Sequence, residues 1–198
     1  MVIRDGFQFA GWYTDAAFNE NNKVSEIPTG SMGNKTFYAK WTTNTYTVKY
    51  SCGTGSGTVA DKTVTYNSTY GTLPTAVKTG YYFVGWYLGN QKITSESIVD
   101  LTSNVTLKAK YTIINYSINY NLDGGSATNP STYTVEDTIT LNNPTKTGYT
   151  FSGWTGSNGE SLQTLVTIQK GSTGDKTYTA HYSANPNTKY VVKHLKQK

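Results

Sequence analysis

Thr147-Gly148-Tyr149-Thr150-Phe151-Ser152-Gly153-Trp154 decides how this chain is read. The same phrase stands earlier as Thr79-Gly80-Tyr81-Tyr82-Phe83-Val84-Gly85-Trp86, and first as Asp5-Gly6-Phe7-Gln8-Phe9-Ala10-Gly11-Trp12. Each copy has the form Gly-aromatic-x-Phe-x-Gly-Trp. Alternation at a period of two puts the large apolar groups on one face of a short strand. The first glycine suits a turn at positive φ, the second a bulge or a close backbone approach.

The copies set a repeat. Trp86 and Trp154 stand 68 residues apart, Tyr50 and Tyr120 70, and Tyr111 and Tyr182 71. Such a unit is longer than most solenoid repeats and near the size of a minimal independent domain. The chain therefore divides into 1–42, the latter part of one unit; 43–112 and 113–183, two complete units; and 184–198, a linker with the first strand of a further unit. The reading is beads on a string, and a fragment of something longer.

Within a unit the order repeats. Opening strands are Tyr46-Thr47-Val48-Lys49-Tyr50 and Tyr116-Ser117-Ile118-Asn119-Tyr120, and Tyr190-Val191-Val192-Lys193-His194 has the same alternation. Glycine-rich turns follow, then second strands near 62–66 and 131–135. Closing strands align Phe37, Ala39 and Trp41 with Leu107, Ala109 and Tyr111, and with Tyr178, Ala180 and Tyr182. The opposite face of these strands carries lysines, which discourage edge pairing. Strand formers and turn formers dominate, which predicts a mainly β fold. The one helical candidate is 15–20, with Asp15 as its N-cap.

Chemistry is sparse. A single cysteine, Cys52, excludes an intrachain disulfide framework and any Cys-based zinc site. Cys52 aligns with Leu122 and is expected to be a small buried apolar group. His181 aligns with Lys110 and Lys40 on the outward face, and no nucleophile or acid accompanies it. The acidic residues form no calcium loop, and no catalytic, cofactor-binding or metal-ligating residues are expected. The net charge of +5 admits an anionic partner such as a cell-wall polymer. Only Arg4 supplies a guanidinium and no basic cluster exists, so nucleic acid is not an expected partner. No apolar run reaches about 18 residues, so no membrane span is expected.

The 17 tyrosines and 4 tryptophans are the main functional temptation. Trp12, Trp86 and Trp154, with Phe151, recur at one structural position. A small unit has few other ways to build a core, which makes them core residues before they are sugar platforms. Tyr38, Tyr82 and Tyr87 fall on the other face or beyond the strand and are the candidates for a ligand surface. The incomplete ends suggest a monomer with strand exchange at its termini.

Asn121-Leu122-Asp123-Gly124-Gly125, then Asn143-Pro144-Thr145-Lys146-Thr147 leading into the Gly-Trp phrase, and finally Tyr178-Thr179-Ala180-His181-Tyr182, resemble the Listeria–Bacteroides repeat family, the internalin-type B-repeat. The resemblance implies small α+β units of β-grasp, ubiquitin-like form, in tandem in secreted or wall-anchored bacterial surface proteins. There they serve as stalks or adhesion modules without catalytic residues, and a host surface protein or a glycan is the implied partner. The middle unit departs from the family at Ser51-Cys52-Gly53-Thr54, and the complete units show no clear helix after the tryptophan.

Overall fold

The computed structural model describes residues 2–186. The chain is mainly β, with a single turn of 3-10 helix at Glu20–Asn22 among the described residues. It forms two compact units: Met1–Lys78 with Phe83–Tyr111, and Thr79–Tyr82 with Thr112–Lys198.

The strands of the first unit are β1 (Phe7–Tyr13), β2 (Lys23–Val24), β3 (Tyr38–Thr43), β4 (Thr45–Ser51), β5 (Lys62–Thr65), β6 (Tyr81–Leu88), β7 (Gln91–Ile93) and β8 (Val105–Ile113); the ends of β6 and β8 run into the second unit. They make a three-stranded sheet, β2-β1-β3, and a five-stranded sheet, β5-β4-β8-β6-β7. The opening strand β4 lies parallel to the closing strand β8, with Val48 opposite Val105 and Tyr50 opposite Leu107. Its inward residues build the core: Val48, Val64, Tyr70, Trp86, Val99 and Leu107 are buried, and Cys52 joins them as the alignment expects.

The second unit repeats this plan with β9 (Tyr116–Asn121), β10 (Thr132–Tyr133), β11 (Ile139–Thr140), β12 (Tyr149–Gly156), β13 (Gly159–Gln163), β14 (Thr167–Ile168) and β15 (Lys176–Ala184). The order β10-β9-β15-β12-β13 matches the other five-stranded sheet strand for strand, and β11 pairs separately with β14. Again the opening and closing strands are parallel, with Tyr120 opposite Tyr178. Ile118, Tyr133, Leu141, Trp154, Val166, Ile168, Tyr178 and Ala180 form the core.

Both motif glycines do what their positions require. Gly148 has φ 79°, in the turn before β12. Gly153 has φ 146° and sits at the register shift between Phe151 and Gly153 against β15. The bulge lets Phe151 and Trp154 share a face although they stand three positions apart, an odd spacing.

No α-helix forms at 15–20. The Asp15 carboxylate accepts the Ala17 N–H and the side-chain amides of Asn19 and Asn22, and Phe18 has φ 55°. These bonds close a turn rather than start a helix. The helix that a β-grasp unit implies is likewise not found among the described residues: after Trp86 the chain turns at Gly89-Asn90 and returns as β7. The expected first strand of a further unit, within 184–198, lies outside the described residues from 187 onward.

Candidate functional site

Each repeat carries an aromatic triad: the motif Phe, the motif Trp, and the last aromatic of the closing strand. In the second unit Phe151 meets Trp154 at 5.5 Å and Tyr182 at 5.9 Å between ring centroids, both edge-on. In the first unit Phe83 meets Trp86 at 5.4 Å and Tyr111 at 5.9 Å. The N-terminal copy has the same arrangement, Phe9 meeting Trp12 at 5.4 Å and Trp41 at 5.5 Å. Edge-on packing of this kind is favourable beyond the area it buries.

What differs is the cover. Tyr50 of β4 lies 4.8 Å from Trp86, and Tyr120 of β9 lies 6.0 Å from Trp154. Trp86 and Trp154 are buried, and their indole N–H groups donate to the Pro74 carbonyl at 2.6 Å and to Asn143 Oδ1 at 3.2 Å. Trp12 is 37% exposed and Phe9 36%. Expected as a core residue like its counterparts, Trp12 is instead a surface one, because no opening strand lies over it among the described residues. Beside it a cavity of about 180 Å³ is lined by Trp12, Val24, Ser25, Glu26, Ile27 and Phe37.

Of the three tyrosines proposed for a ligand surface, Tyr38 lies in β3 and Tyr82 and Tyr87 in β6. Tyr82 is 65% exposed and Tyr38 40%. Tyr87 is half-buried, and Lys110 Nζ sits 4.0 Å above its ring centroid, so one face is already occupied. Its counterpart Tyr13 is buried and donates to Glu20 Oε1 at 2.9 Å, while Lys40 Nζ reaches the same oxygen at 2.8 Å. The Lys40 ammonium, then the Tyr13 hydroxyl, holds the Glu20 carboxyl below its ordinary range, and Glu20 in turn raises Lys40. In the second unit His181 takes the lysine's place and bonds Thr155 Oγ1 at 2.7 Å. Among the described residues no cluster of three or more His, Cys, Asp or Glu could hold a metal ion.

Two features escaped the sequence reading. The first is a latch: Tyr182 donates to the Leu122 carbonyl at 3.0 Å, and Tyr111 to the Cys52 carbonyl at 3.2 Å. The hydroxyl of Tyr182 fills the place that a Cβ at Gly125 would take. The aligned glycines and tyrosines carry the signal, but their contact spans about 60 residues. The second is a cation held over two rings. Lys146 pairs with Asp123 at 3.0 Å and lies 4.6 Å above Tyr149 and 5.0 Å above Tyr182. Asp123 is replaced by Gly53 in the preceding repeat.

Among the described residues no helix is long and apolar enough to cross a membrane. Two proteins of Evansella cellulosilytica are similar to this chain. One, described as a membrane protein, is 33% identical over 161 residues, covering 76% of this chain and 24% of that protein. The other, described as a Gly-rich membrane protein, is 31% identical over 163 residues, covering 76% of this chain and 18% of that protein. Internalin H of Listeria monocytogenes is 38% identical over 87 residues, 41% of this chain and 15% of its own length. The chain thus spans about a quarter or less of the curated relatives it matches. No solved structure matches it. The model of the Listeria-Bacteroides repeat domain matches three times, at residues 1–40, 46–110 and 116–181, and the chain belongs to that family.

Proposed function

We propose that this chain is a non-enzymatic run of repeats from a bacterial surface protein, secreted or wall-anchored, that acts as a stalk holding other domains away from the cell. The observation that carries this reading is the way one repeat passes into the next. Strand β3 ends at Thr43 and β4 begins at Thr45. The single residue between them is fixed on both sides: Asn44 N–H donates to the Gly6 carbonyl at 2.9 Å, and the Asn44 carbonyl accepts from Tyr66 N–H at 2.9 Å. Phe7 of the earlier repeat meets Tyr66 of the later one edge-on at 5.8 Å. A joint of one residue with both backbone groups engaged has little freedom to bend. Family membership and the surface-type names of the relatives point the same way.

A hydrodynamic series tests it. Chains of one, two and three repeats should lengthen by a constant increment, roughly 25–35 Å per repeat from domain size scaling. A radius that grows only as the cube root of mass would refute the stalk. The second reading is a binding module, favoured by the exposed ring of Tyr82. A glycan, a host surface protein or an anionic wall polymer would be its partner. Binding on a glycan array that Tyr82→Ala abolishes, with the fold intact, would establish it.

A further inference from the structure

We infer that each complete repeat carries tension along the chain through a clamp formed by its opening and closing strands. The first bond of that clamp on the opening strand comes from a side chain, Asn104 in one repeat and Asp175 in the next. The inference rests on the stalk reading only for where tension arises; the clamp follows from strand order and register.

Tension reaches the first complete repeat through the two ends of its segment: Thr45, where β4 starts, and Ile113, where β8 stops. Those two strands are neighbours in the sheet and run parallel, with Val48 opposite Val105 and Ser51 opposite Lys108. Pulling β4 from its beginning and β8 from its end drives them past each other along their own axes. The bonds along the paired stretch are then strained together, because none can open ahead of its neighbours. An antiparallel pair pulled apart from two adjacent ends opens instead one pair at a time. The second complete repeat has the same geometry. There β9 starts at Tyr116 and β15 stops at Ala184, with Ile118 opposite Lys176 and Asn121 opposite Thr179.

The surroundings reinforce the clamp. Neither loaded strand of either repeat lies at a sheet edge, so each is held on its far side as well. Val48, Leu107, Ile118 and Tyr178, all within the paired stretches, are buried. Burial keeps away the water that would replace a strained bond, and a low local dielectric strengthens the bond itself. The paired stretch is short, and a side chain lengthens it at the end where tension enters. Thr47, one residue before the pairing begins, donates its N–H at 2.8 Å to Oδ1 of Asn104, the residue before β8. In the same place Ser117 donates at 2.8 Å to Oδ1 of Asp175, the residue before β15. The exits are pinned too. Ile114, just past β8, donates its N–H to the Gly80 carbonyl, and Asn185, just past β15, to that of Gly148, both at 2.9 Å.

Single-molecule pulling on the intact chain tests the inference, because rupture force follows the unfolding barrier rather than the equilibrium stability. Handles go on through Thr43→Cys and Asn115→Cys, which flank the repeat. In a second attachment they go on through Thr45→Cys and Thr65→Cys, which face each other across β4 and the antiparallel edge strand β5. Cys52→Ala removes the native thiol from both. The first attachment should release roughly 240–260 Å of contour for the 72 residues between its handles. Its rupture force should be roughly threefold or more that of the second, since several bonds share the load against one or two. Asn104→Ala should lower the first force and leave the second unchanged, and Asn104→Asp, which copies the other repeat, should keep both. Ser97→Ala removes a bond of the same kind away from the clamp, where Ser97 Oγ accepts the Thr94 N–H at 2.9 Å, and should leave both forces as they were. Equal forces for the two attachments overturn the inference. So does an Asn104→Ala variant as strong as its parent, or a loss in Ser97→Ala as large as in Asn104→Ala. The hydrodynamic series reads length and this one reads strength, so failure of the stalk and failure of the clamp are told apart.

Discussion

Replacing Trp86 by alanine should cost far more than replacing Trp12, although the two occupy the same place in the repeat. Trp86 is 1% exposed. A fully buried indole removes on the order of 200 Å² from water, which at ~25 cal/mol per Å² amounts to about 5 kcal/mol. The truncation also leaves the Pro74 carbonyl without the indole N–H, a further penalty of about 1 kcal/mol. Relaxation of the cavity returns part of this, so the expected loss is about 4–5 kcal/mol, in line with other Trp→Ala core changes. A repeat of this size holds roughly 4–10 kcal/mol in all, so the variant would be marginal. Trp12 is 37% exposed and already borders an open cavity, so its truncation creates no enclosed void and should cost about 1–2 kcal/mol. Urea titration read by amide hydrogen exchange in dilute solution separates the two. In Trp86→Ala, protection should collapse in β4, β5 and β8; in Trp12→Ala, only β1 to β3 should lose it. Equal costs for the two variants, or a Trp86→Ala loss under about 1.5 kcal/mol, would refute the argument that cover by the opening strand sets the stability of each repeat.

The two covering tyrosines should respond differently to loss of their hydroxyls. The Tyr50 hydroxyl is buried without a partner, whereas Tyr120 donates to the Pro130 carbonyl at 2.9 Å; Tyr50→Phe should be neutral or mildly stabilising and Tyr120→Phe should cost about 0.5–1.5 kcal/mol in urea unfolding. Gly125→Ala should displace the Tyr182 latch and lower the melting temperature of the second unit, a shift read by calorimetry and absent if the hydroxyl simply turns aside. Burial pushes the Tyr120 phenol up to about 12. Its folded value exceeds the unfolded one, so its contribution is complete below about pH 10 and lost as pH rises towards 12, which phenolate absorbance against pH will follow. At the acid end, the Ser117 N–H holds the Asp175 carboxyl below its ordinary range. That contribution is present above about pH 4 and is lost as pH falls through the folded value. Asp175→Asn should keep the bond, because Asn104 makes it to Thr47 N–H at 2.8 Å in the preceding repeat, and should remove this part of the acid sensitivity.

Most of the fold was legible because it is written several times. The spacing of Trp86 and Trp154 sets the repeat, the alternation in Tyr46–Tyr50 marks an inward face, and the second motif glycine announces a bulge that β1 and β12 both contain. Periodicity reveals which residues face inward, and it does not reveal what lies above them. Trp12 therefore read as core, although its exposure depends on strands outside its own segment. The helix at 15–20 was drawn from a capping residue alone; Asp15 had three nearby donors to satisfy, and a turn satisfies them all. The Lys110 ammonium over Tyr87 was hidden for a related reason, since pairing across β6 and β8 joins residues 23 positions apart.

The engagement of Asn44 bears on how such a protein would be cut. A protease must draw several residues of chain, free of other bonds, into its cleft. The passage from β3 to β4 offers none, with one residue between strands and both of its backbone groups held. The exposed stretch 25–36, which contains Ile27, Gly30, Met32 and Gly33, offers many. Limited digestion should therefore nick the interior of the N-terminal repeat and spare the border between it and its neighbour. Fragments would then begin and end inside a repeat, with their boundaries out of phase with the sequence period.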